Sequence, residues 1–245
     1  MKDKEITFQM LLDNLKTTNE SSLEKIKEAY FFACDEHVGL KRLSGDDYIT
    51  HPLHVANILA SLNVDDTTII AALIHEVLNN GKNATKDLIE EKFGEDVARI
   101  VDSVSKINKL ELVDETESSA LYLRKVLVGL AEDPRVLYIK LADRLHNMRT
   151  IEFLRRDRQI KMANETKEIL IPIAEIIGIR KIRSELQNLV LKCLEPEAYE
   201  KIKTEFDARY LKKDKSVQEL QIKINQALNK ENIVSIISGW PEHYY

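Results

Sequence analysis

The sequence predicts an all-α fold, and three observations support that prediction. Apolar residues recur at spacings of three and four through most of the chain, which is the period of a helix that packs on one face. Glycine and proline are scarce, with 7 and 5 among 245 residues, and so few breakers favour long helices. Aromatic residues make up only 6%, whereas strands are enriched in aromatic and β-branched residues.

Capping residues place the helices of the first part of the chain. The segment Ser21-Ser22-Leu23-Glu24 has the pattern of a capping box and predicts a helix that runs to about residue 37. Thr50 is the predicted N-cap of the next helix. Asp65-Asp66 then caps a strongly apolar helix that is predicted to continue to about residue 78.

Helical periodicity continues through most of the remaining sequence. The further predicted helices span about residues 85–93, 95–107, 120–131, 134–150, 157–177, 180–192 and 196–210. The polar stretch 109–119 is a predicted loop.

The C-terminal part has a different pattern. Lys212-Lys213-Asp214-Lys215 is a predicted charged break, followed by a helix at about 216–230 and a β-branched strand at 233–238. A lone strand has no partner within the chain. We therefore divide the chain into a helical domain, 1–210, and a linker helix with a first strand, 211–245, that lead toward another domain.

Bulk properties exclude several classes of protein. The net charge of −5 and the pI of about 5.8 argue against a nucleic-acid-binding surface. We find neither an apolar run of membrane-spanning length nor a signal peptide. The two cysteines, Cys34 and Cys193, lie in apolar helical contexts and indicate a reducing compartment. The expected location is the cytoplasm.

Four dispersed residues could hold a metal ion: His51, His75, Glu76 and Asp143. Two imidazoles and two carboxylates from three helices suit a divalent metal such as Mn²⁺ or Fe²⁺. Taken alone, the pattern is weak evidence, because the chain has 6 histidines and 41 acidic residues. Each histidine could equally be a hydrogen-bonded core or surface side chain.

The surroundings of Asp143 strengthen the prediction. On a helix, Lys140, Asp143, Asn147 and Thr150 are separated by three, four and three residues and therefore share one face. A row of cation, carboxylate, amide and hydroxyl suits a polar pocket beside a core. An ordinary amphipathic helix is the alternative.

These motifs resemble those of the RelA/SpoT family. The run from Lys140 to Thr150, KLADRLHNMRT, is similar to the signature of the family's hydrolase domain almost letter for letter. Arg42 to Pro52 resembles an earlier family motif, and Phe93 to Lys106 matches the next block in order and spacing. The resemblance covers about residues 20–210. Ile237 to Tyr245 is similar to the first strand of the family's synthetase domain.

The resemblance implies a fold, a ligand and roles for individual residues. The fold would be the HD phosphohydrolase fold, and a synthetase domain would follow Tyr245 in a longer protein. The substrate would be (p)ppGpp, whose 3′-pyrophosphate is attacked by a water bound to Mn²⁺. The implied metal ligands are His51, His75, Glu76 and Asp143. The implied nucleotide-binding residues are Arg42, Ser44, Asn147 and Thr150, with Lys106 and Lys140 placed to meet phosphate.

The sequence departs from the family pattern at its catalytic positions. Active hydrolases of the family carry a Glu-Asp pair where this chain has Asn79 and Asn80. An amide cannot accept a proton at neutral pH, so neither residue can act as general base. Glu76 also replaces the family's aspartate, and Leu43 stands where a basic residue is usual.

These departures predict a degenerate hydrolase that keeps its fold and serves a regulatory or nucleotide-binding role beside a synthetase domain. An active Mn²⁺-dependent hydrolase is the alternative, with slow turnover supported by Glu76 and a metal-bound hydroxide. Another carboxylate, such as Glu90 or Glu91, could also supply the base. A third interpretation is an HD phosphohydrolase that acts on a different nucleotide.

Overall fold

The computed structural model of the protein describes residues 6–15, 19–108, 133–231 and 233, with only the backbone for 208–218. Every regular element in these ranges is helical, and a single antiparallel bridge joins Lys41 to Asp47. The predicted all-α class is confirmed. None of the helices in these ranges is both long and apolar enough to cross a membrane.

The helices follow one another with short connections. In chain order they are α1 Phe8–Asn14, α2 Glu20–Glu36, α3 Thr50–Ala60, α4 Asp66–Leu73, α5 Val77–Asn80, α6 Lys86–Phe93, α7 Glu95–Asn108, α8 Pro134–Arg149, α9 Arg156–Glu165, α10 Ile171–Ile177, α11 Arg180–Leu194 and α12 Pro196–Lys230. A 3₁₀ turn, Ile151–Phe153, follows α8, and a π-helical turn, Thr166–Leu170, joins α9 to α10.

Helices α3, α4, α7 and α8 form the centre of the domain. Helix α8 packs against α3, α4, α7 and α11, and α4 also packs against α2, α3 and α7. Helix α4 buries all but its first two residues, and α8 buries most of its length. The buried residues of α8 include the polar side chains of Lys140, Asp143, Arg144 and His146. Polar and charged side chains of α8 therefore lie inside the core.

The helix starts agree only partly with the prediction. Asp65 caps α4 as expected, accepting a hydrogen bond from the backbone of Thr68. The predicted start at Ser21 was wrong, because Asn19 accepts the capping bond from Ser21. Thr50 is the first residue of α3 and not its cap. Its hydroxyl instead donates to the carbonyl of Asp47.

The helix predicted over 67–78 is interrupted. Helix α4 ends at Leu73, and α5 begins at Val77. The intervening residues 74–76 form a tight connection in which the backbone of Val77 bonds to Ile74. The apolar pattern continues across this break, so periodicity could not reveal it. As a result His75 and Glu76 lie in a turn between two helices.

The C-terminal helices also differ from the prediction. The helix predicted over 157–177 widens into the π turn Thr166–Leu170. One turn earlier, in α9, the carbonyl of Met162 accepts a hydrogen bond from Arg144 of α8. Such a distortion depends on a tertiary contact. The charged break at 212–215 was wrong, because α12 runs through it. No glycine or proline follows Pro196 in this helix, and lysine is a good helix former.

Some predictions concern residues outside the described ranges, and others are untested. The loop 109–119, the helix 120–131 and nearly all of the strand 233–238 lie outside the described residues. The division into 1–210 and 211–245 stays a prediction. Helix α1, capped by Thr7, was not predicted.

Candidate functional site

Three parts of the fold bring the predicted metal ligands together. His51 lies in the first turn of α3, His75 and Glu76 lie in the turn between α4 and α5, and Asp143 lies in the middle of α8. His51, His75 and Glu76 each offer a ligand atom, and these atoms lie within 4.8 Å of one another. Asp143 adjoins this group through His51, with 3.2 Å between its Oδ1 atom and His51 Nε2. All four side chains are buried.

The hydrogen bond of His75 fixes its tautomer. Its Nδ1 atom lies 2.7 Å from the carbonyl oxygen of Ala72, so Nδ1 must carry the proton and donate it. The Nε2 atom is buried and makes no hydrogen bond with the described residues. It lies 3.6 Å from Glu76 Oε1. A histidine held by one nitrogen with a lone pair on the other is the usual arrangement of a metal ligand.

The Nδ1 atom of His51 contacts a second histidine. It lies 2.7 Å from Nδ1 of His146, whose ring stacks on His54 with 4.4 Å between centroids. Burial lowers the pKa of His51 to about 3, against the opposing effect of Asp143. His51 is therefore neutral at pH 7, and a metal ligand must be unprotonated.

Asp143 is held by its neighbours on α8. Lys140, one turn earlier, donates to Oδ2 at 3.0 Å, and Asn147, one turn later, donates to Oδ1 at 2.7 Å. Burial alone would raise the pKa of Asp143, but the Lys140 ammonium and the bond from His51 outweigh it and hold that pKa well below its usual range. Asp143 is therefore a fixed carboxylate.

Glu76 is surrounded by neutral donors. Asn80 and the Tyr48 hydroxyl, the latter at 3.4 Å, donate to Oε2, and Asn108 donates to Oε1 at 3.0 Å. Asn108 also accepts from Lys140 at 2.8 Å, so it joins the two sides of the site. Sequence reasoning missed Tyr48 and Asn108 as contacts of Glu76. Asn108 is the last residue of α7, and no periodicity singles it out.

The two asparagines at the positions where the resemblance implies an acid pair differ in their contacts. Asn79 accepts a hydrogen bond from the Ser105 hydroxyl at 2.7 Å, whereas Asn80 donates to Glu76 and to Tyr48. Neither amide can take a proton from water. Glu90 and Glu91 are exposed on α6, and neither lines the cavities beside the candidate ligands.

A cavity of about 290 Å³ opens beside the candidate ligands. Its lining includes the predicted nucleotide residues Arg42, Ser44, Asn147 and Thr150, together with Lys41, Leu43, Tyr48, His51, Glu76, Phe153, Leu154 and Met162. Arg42 donates to Asn147 at 3.1 Å and lies 5.9 Å from the centre of the Tyr48 ring. Ser44 donates to Asp46.

Two predicted lysines lie outside the lining of this cavity. Lys106 is exposed and pairs with Asp102 at 2.8 Å. Lys140 is 1% exposed and bonds to Asp143 and Asn108. A second cavity, of about 600 Å³, adjoins the first along Arg42, Ser44 and Thr150 and reaches His54 and His146.

The arrangement fits a divalent metal ion. Ligand atoms around one such ion lie about 3 Å apart when its bonds are near 2.1 Å, close to the separation of His51 Nε2 and Asp143 Oδ1. The observation that points to a metal is the buried Nε2 atom of His75, which has no hydrogen bond among the described residues. A coordinate bond would satisfy it.

Comparisons with known proteins agree with this geometry. The HD domain model matches residues 29–180. The GTP pyrophosphokinase of Streptomyces coelicolor is 40% identical over 225 residues, which are 92% of this chain and 26% of that relative. The bifunctional (p)ppGpp synthase/hydrolase SpoT of Escherichia coli is 39% identical over 226 residues, or 92% and 32%.

The chain thus spans between a quarter and a third of the length of these relatives. A solved structure of a metazoan SpoT ortholog that hydrolyses ppGpp superposes with a TM-score of 0.53 and 22% identity, covering 71% of this chain and 95% of that one. At this identity it supports the fold alone. The chain belongs to the HD domain family, and over 92% of its length it is similar to parts of the RelA/SpoT-type relatives named above.

Proposed function

We propose that this domain binds a guanine nucleotide of the (p)ppGpp type in the cavity beside His51 and hydrolyses it very slowly or not at all. The names of the relatives support the ligand, since SpoT of E. coli is a (p)ppGpp synthase/hydrolase. The cavity supports it as well. Arg42 presents a planar cation suited to stacking on a base, and Asn147 and Thr150 offer groups for hydrogen bonds.

The proposed cofactor is Mn²⁺, held by His51, His75, Glu76 and Asp143. When bound, the metal would act as a Lewis acid and lower the pKa of a water molecule. The residues of the chain keep the ligands in place: Ala72 and His146 orient the two imidazoles, and Lys140 and Asn147 orient the Asp143 carboxylate.

A single observation supports weak hydrolysis. The two residues at the positions of the family's acid pair are amides, and their side chains are engaged by Ser105, Glu76 and Tyr48. Loss of a general base typically lowers a rate by about 10² to 10⁴-fold. The domain would then act as a nucleotide-binding module that regulates an adjoining synthetase domain.

An active Mn²⁺-dependent 3′-pyrophosphohydrolase is the second candidate. The observation that favours it is the convergence of His51, His75 and Glu76 with Asp143 beside them. The two candidates differ only in turnover.

The deciding experiment measures binding and turnover separately. The purified chain is incubated with ppGpp and Mn²⁺, and pyrophosphate release is followed beside that of the E. coli SpoT protein as a positive control. Calorimetry with ppGpp gives the affinity. We expect binding with a rate at least about 10²-fold below the control. A rate comparable to that of the control would refute weak hydrolysis, and absence of binding would refute the ligand.

A matched pair of arginine variants tests the location of the nucleotide. Arg42→Ala removes a cavity-lining guanidinium and should weaken ppGpp binding about tenfold, as expected for a lost charged contact. Arg155→Ala is the control, because Arg155 is 82% exposed, pairs with Asp157 and does not line the cavities described above. Equal effects of the two changes would argue against this cavity.

A further inference from the structure

The carboxylate of Glu76 has an unusual set of partners. Each of its oxygens accepts a hydrogen bond from an asparagine, Asn108 on Oε1 and Asn80 on Oε2. Glu76 is 8% exposed, so water supplies little of its solvation. Hydrogen bonds to both oxygens of a buried carboxylate restrict its rotation.

We propose that Asn80 and Asn108 are positioning residues that clamp the Glu76 carboxylate in its metal-binding orientation. The inference rests on the metal site of the proposed function. On this proposal Asn80 has a role of its own. Where the resemblance implies a carboxylate, Asn80 has an amide that donates a hydrogen bond to Glu76. An acid at position 80 would place two carboxylates side by side, whereas the amide supplies the donor that a longer ligand needs.

The length of the side chain at position 76 explains why a clamp is needed. Glutamate has one more rotatable bond than aspartate, and holding it in one geometry costs side-chain entropy. Asn80 is the last residue of the short helix α5 and lies four residues after Glu76, which immediately precedes that helix. Asn108 approaches from α7 and is itself bonded to Lys140. The carboxylate is therefore held from two separate elements.

Titration with Mn²⁺ alone tests the proposal without any assay of activity. The six-line electron paramagnetic resonance signal of free Mn²⁺ reports the bound fraction for the full chain and for each variant. Asn80→Ala and Asn108→Ala should each weaken Mn²⁺ binding by about 10 to 100-fold, the usual effect of removing a group that orients a metal ligand. The exposed position of Asn80 favours the lower end of this range.

Asn79→Ala is the matched control. It removes the same kind of side chain from the same helix, but Asn79 bonds to Ser105 and not to Glu76. We expect its Mn²⁺ affinity to stay within about threefold of the unaltered chain, since it orients no ligand. Circular dichroism establishes that each variant is folded. An Asn80→Ala protein that binds as tightly as the Asn79→Ala protein would overturn the proposal.

A double-mutant cycle shows whether the asparagines act through Glu76. In Glu76→Asp the carboxylate is withdrawn by about 1.5 Å, one carbon–carbon bond, and no longer reaches either amide. The effect of adding Asn80→Ala or Asn108→Ala should then shrink to about threefold or less, because interacting residues are not additive. An undiminished effect of Asn108→Ala would mean that Asn108 acts through Lys140 instead.

The two proposals fail in distinguishable ways. If the unaltered chain does not bind Mn²⁺, the metal site of the proposed function is wrong, and the clamp falls with it. If the unaltered chain binds Mn²⁺ and the asparagine variants bind equally well, only the clamp is wrong.

Discussion

The two sides of the candidate metal site are built differently. On the α8 side, Asp143 lies in the middle of a regular helix, and its two polar neighbours on that helix hold it one turn before and one turn after. On the opposite side, His75 and Glu76 lie in a break between α4 and α5, and Glu76 depends on residues from other elements. The α8 side carries the run that resembles the family signature, and the opposite side carries the residues that differ from the pattern the resemblance implies.

The two sides differ in the charge that a substitution would leave without a partner. Asp143 carries a buried ion pair with Lys140, with side chains 3% and 1% exposed, so its loss would leave a charge without its counterion in the core. Among the described residues, the hydrogen-bond donors to Glu76 are neutral and include the partly exposed Asn108 and the exposed Asn80. We therefore expect substitution to be less costly on the Glu76 side.

Restoring the family's residues on the altered side should produce the largest effect. The triple change Glu76→Asp, Asn79→Glu and Asn80→Asp returns a general base and the shorter ligand. We expect pyrophosphate release from ppGpp to rise by about 10² to 10⁴-fold, the range attributed to a positioned base.

The two asparagine changes without Glu76→Asp form the control for this experiment. They leave the glutamate beside a new carboxylate, so we expect a smaller gain than in the triple variant. No gain in the triple variant, with ppGpp still bound, would show that the altered side is not what limits hydrolysis.

Removing charge from each side should affect stability unequally. Asp143→Asn leaves the Lys140 ammonium without a carboxylate in the core, and we expect the free energy of unfolding to fall by about 3 kcal/mol, as for other broken buried pairs. Glu76→Gln leaves no buried cation and should cost less than about 1.5 kcal/mol. Urea denaturation in the presence of a chelator measures both variants without a metal contribution.

Equal losses in the two variants would contradict the proposed difference between the two sides. A third variant, Asp143→Asn with Lys140→Met, sharpens the test. It removes the uncompensated cation, so part of the lost stability should return.

The last expected effect concerns pH and the buried His37. Burial lowers the pKa of His37 to about 4, whereas an unfolded histidine titrates near pH 6.5. Between these values the unfolded chain binds more protons than the native protein. The free energy of unfolding should therefore fall as the pH drops from about 6.5 toward 4, by at most about 1.4 kcal/mol per pH unit for this residue.

Urea titrations at several pH values, with chelator, measure this slope. His37 packs against Tyr48, with 4.9 Å between ring centroids, and so supports the Glu76 side. In His37→Leu the side chain cannot titrate, so the pH slope of the free energy of unfolding should fall by the contribution of one proton. Part of the slope should remain, because the buried His51 also has a lowered pKa, near 3. An unchanged slope in this variant would exclude His37 as a contributor.

The α8 side was predictable because its contacts join residues that are close together in the sequence. Lys140, Asp143 and Asn147 are neighbours on any helix, and their hydrogen bonds follow the spacing that the sequence displays. The opposite side was predictable only in part. Its candidate residues could be named, but the contact between Asn108 and Glu76 joins positions 32 apart, and no local pattern encodes such a distance.

The sequence by itself determined the helical class, the cap at Asp65, the polar face of α8 and the identity of the four candidate ligands. Periodicity, capping and side-chain chemistry are properties of short segments, and so they can be read without a fold. The tertiary structure decided that α4 breaks before His75, that α12 runs through its charged segment, and that two asparagines hold Glu76. These features depend on packing between distant segments, which local propensity does not specify.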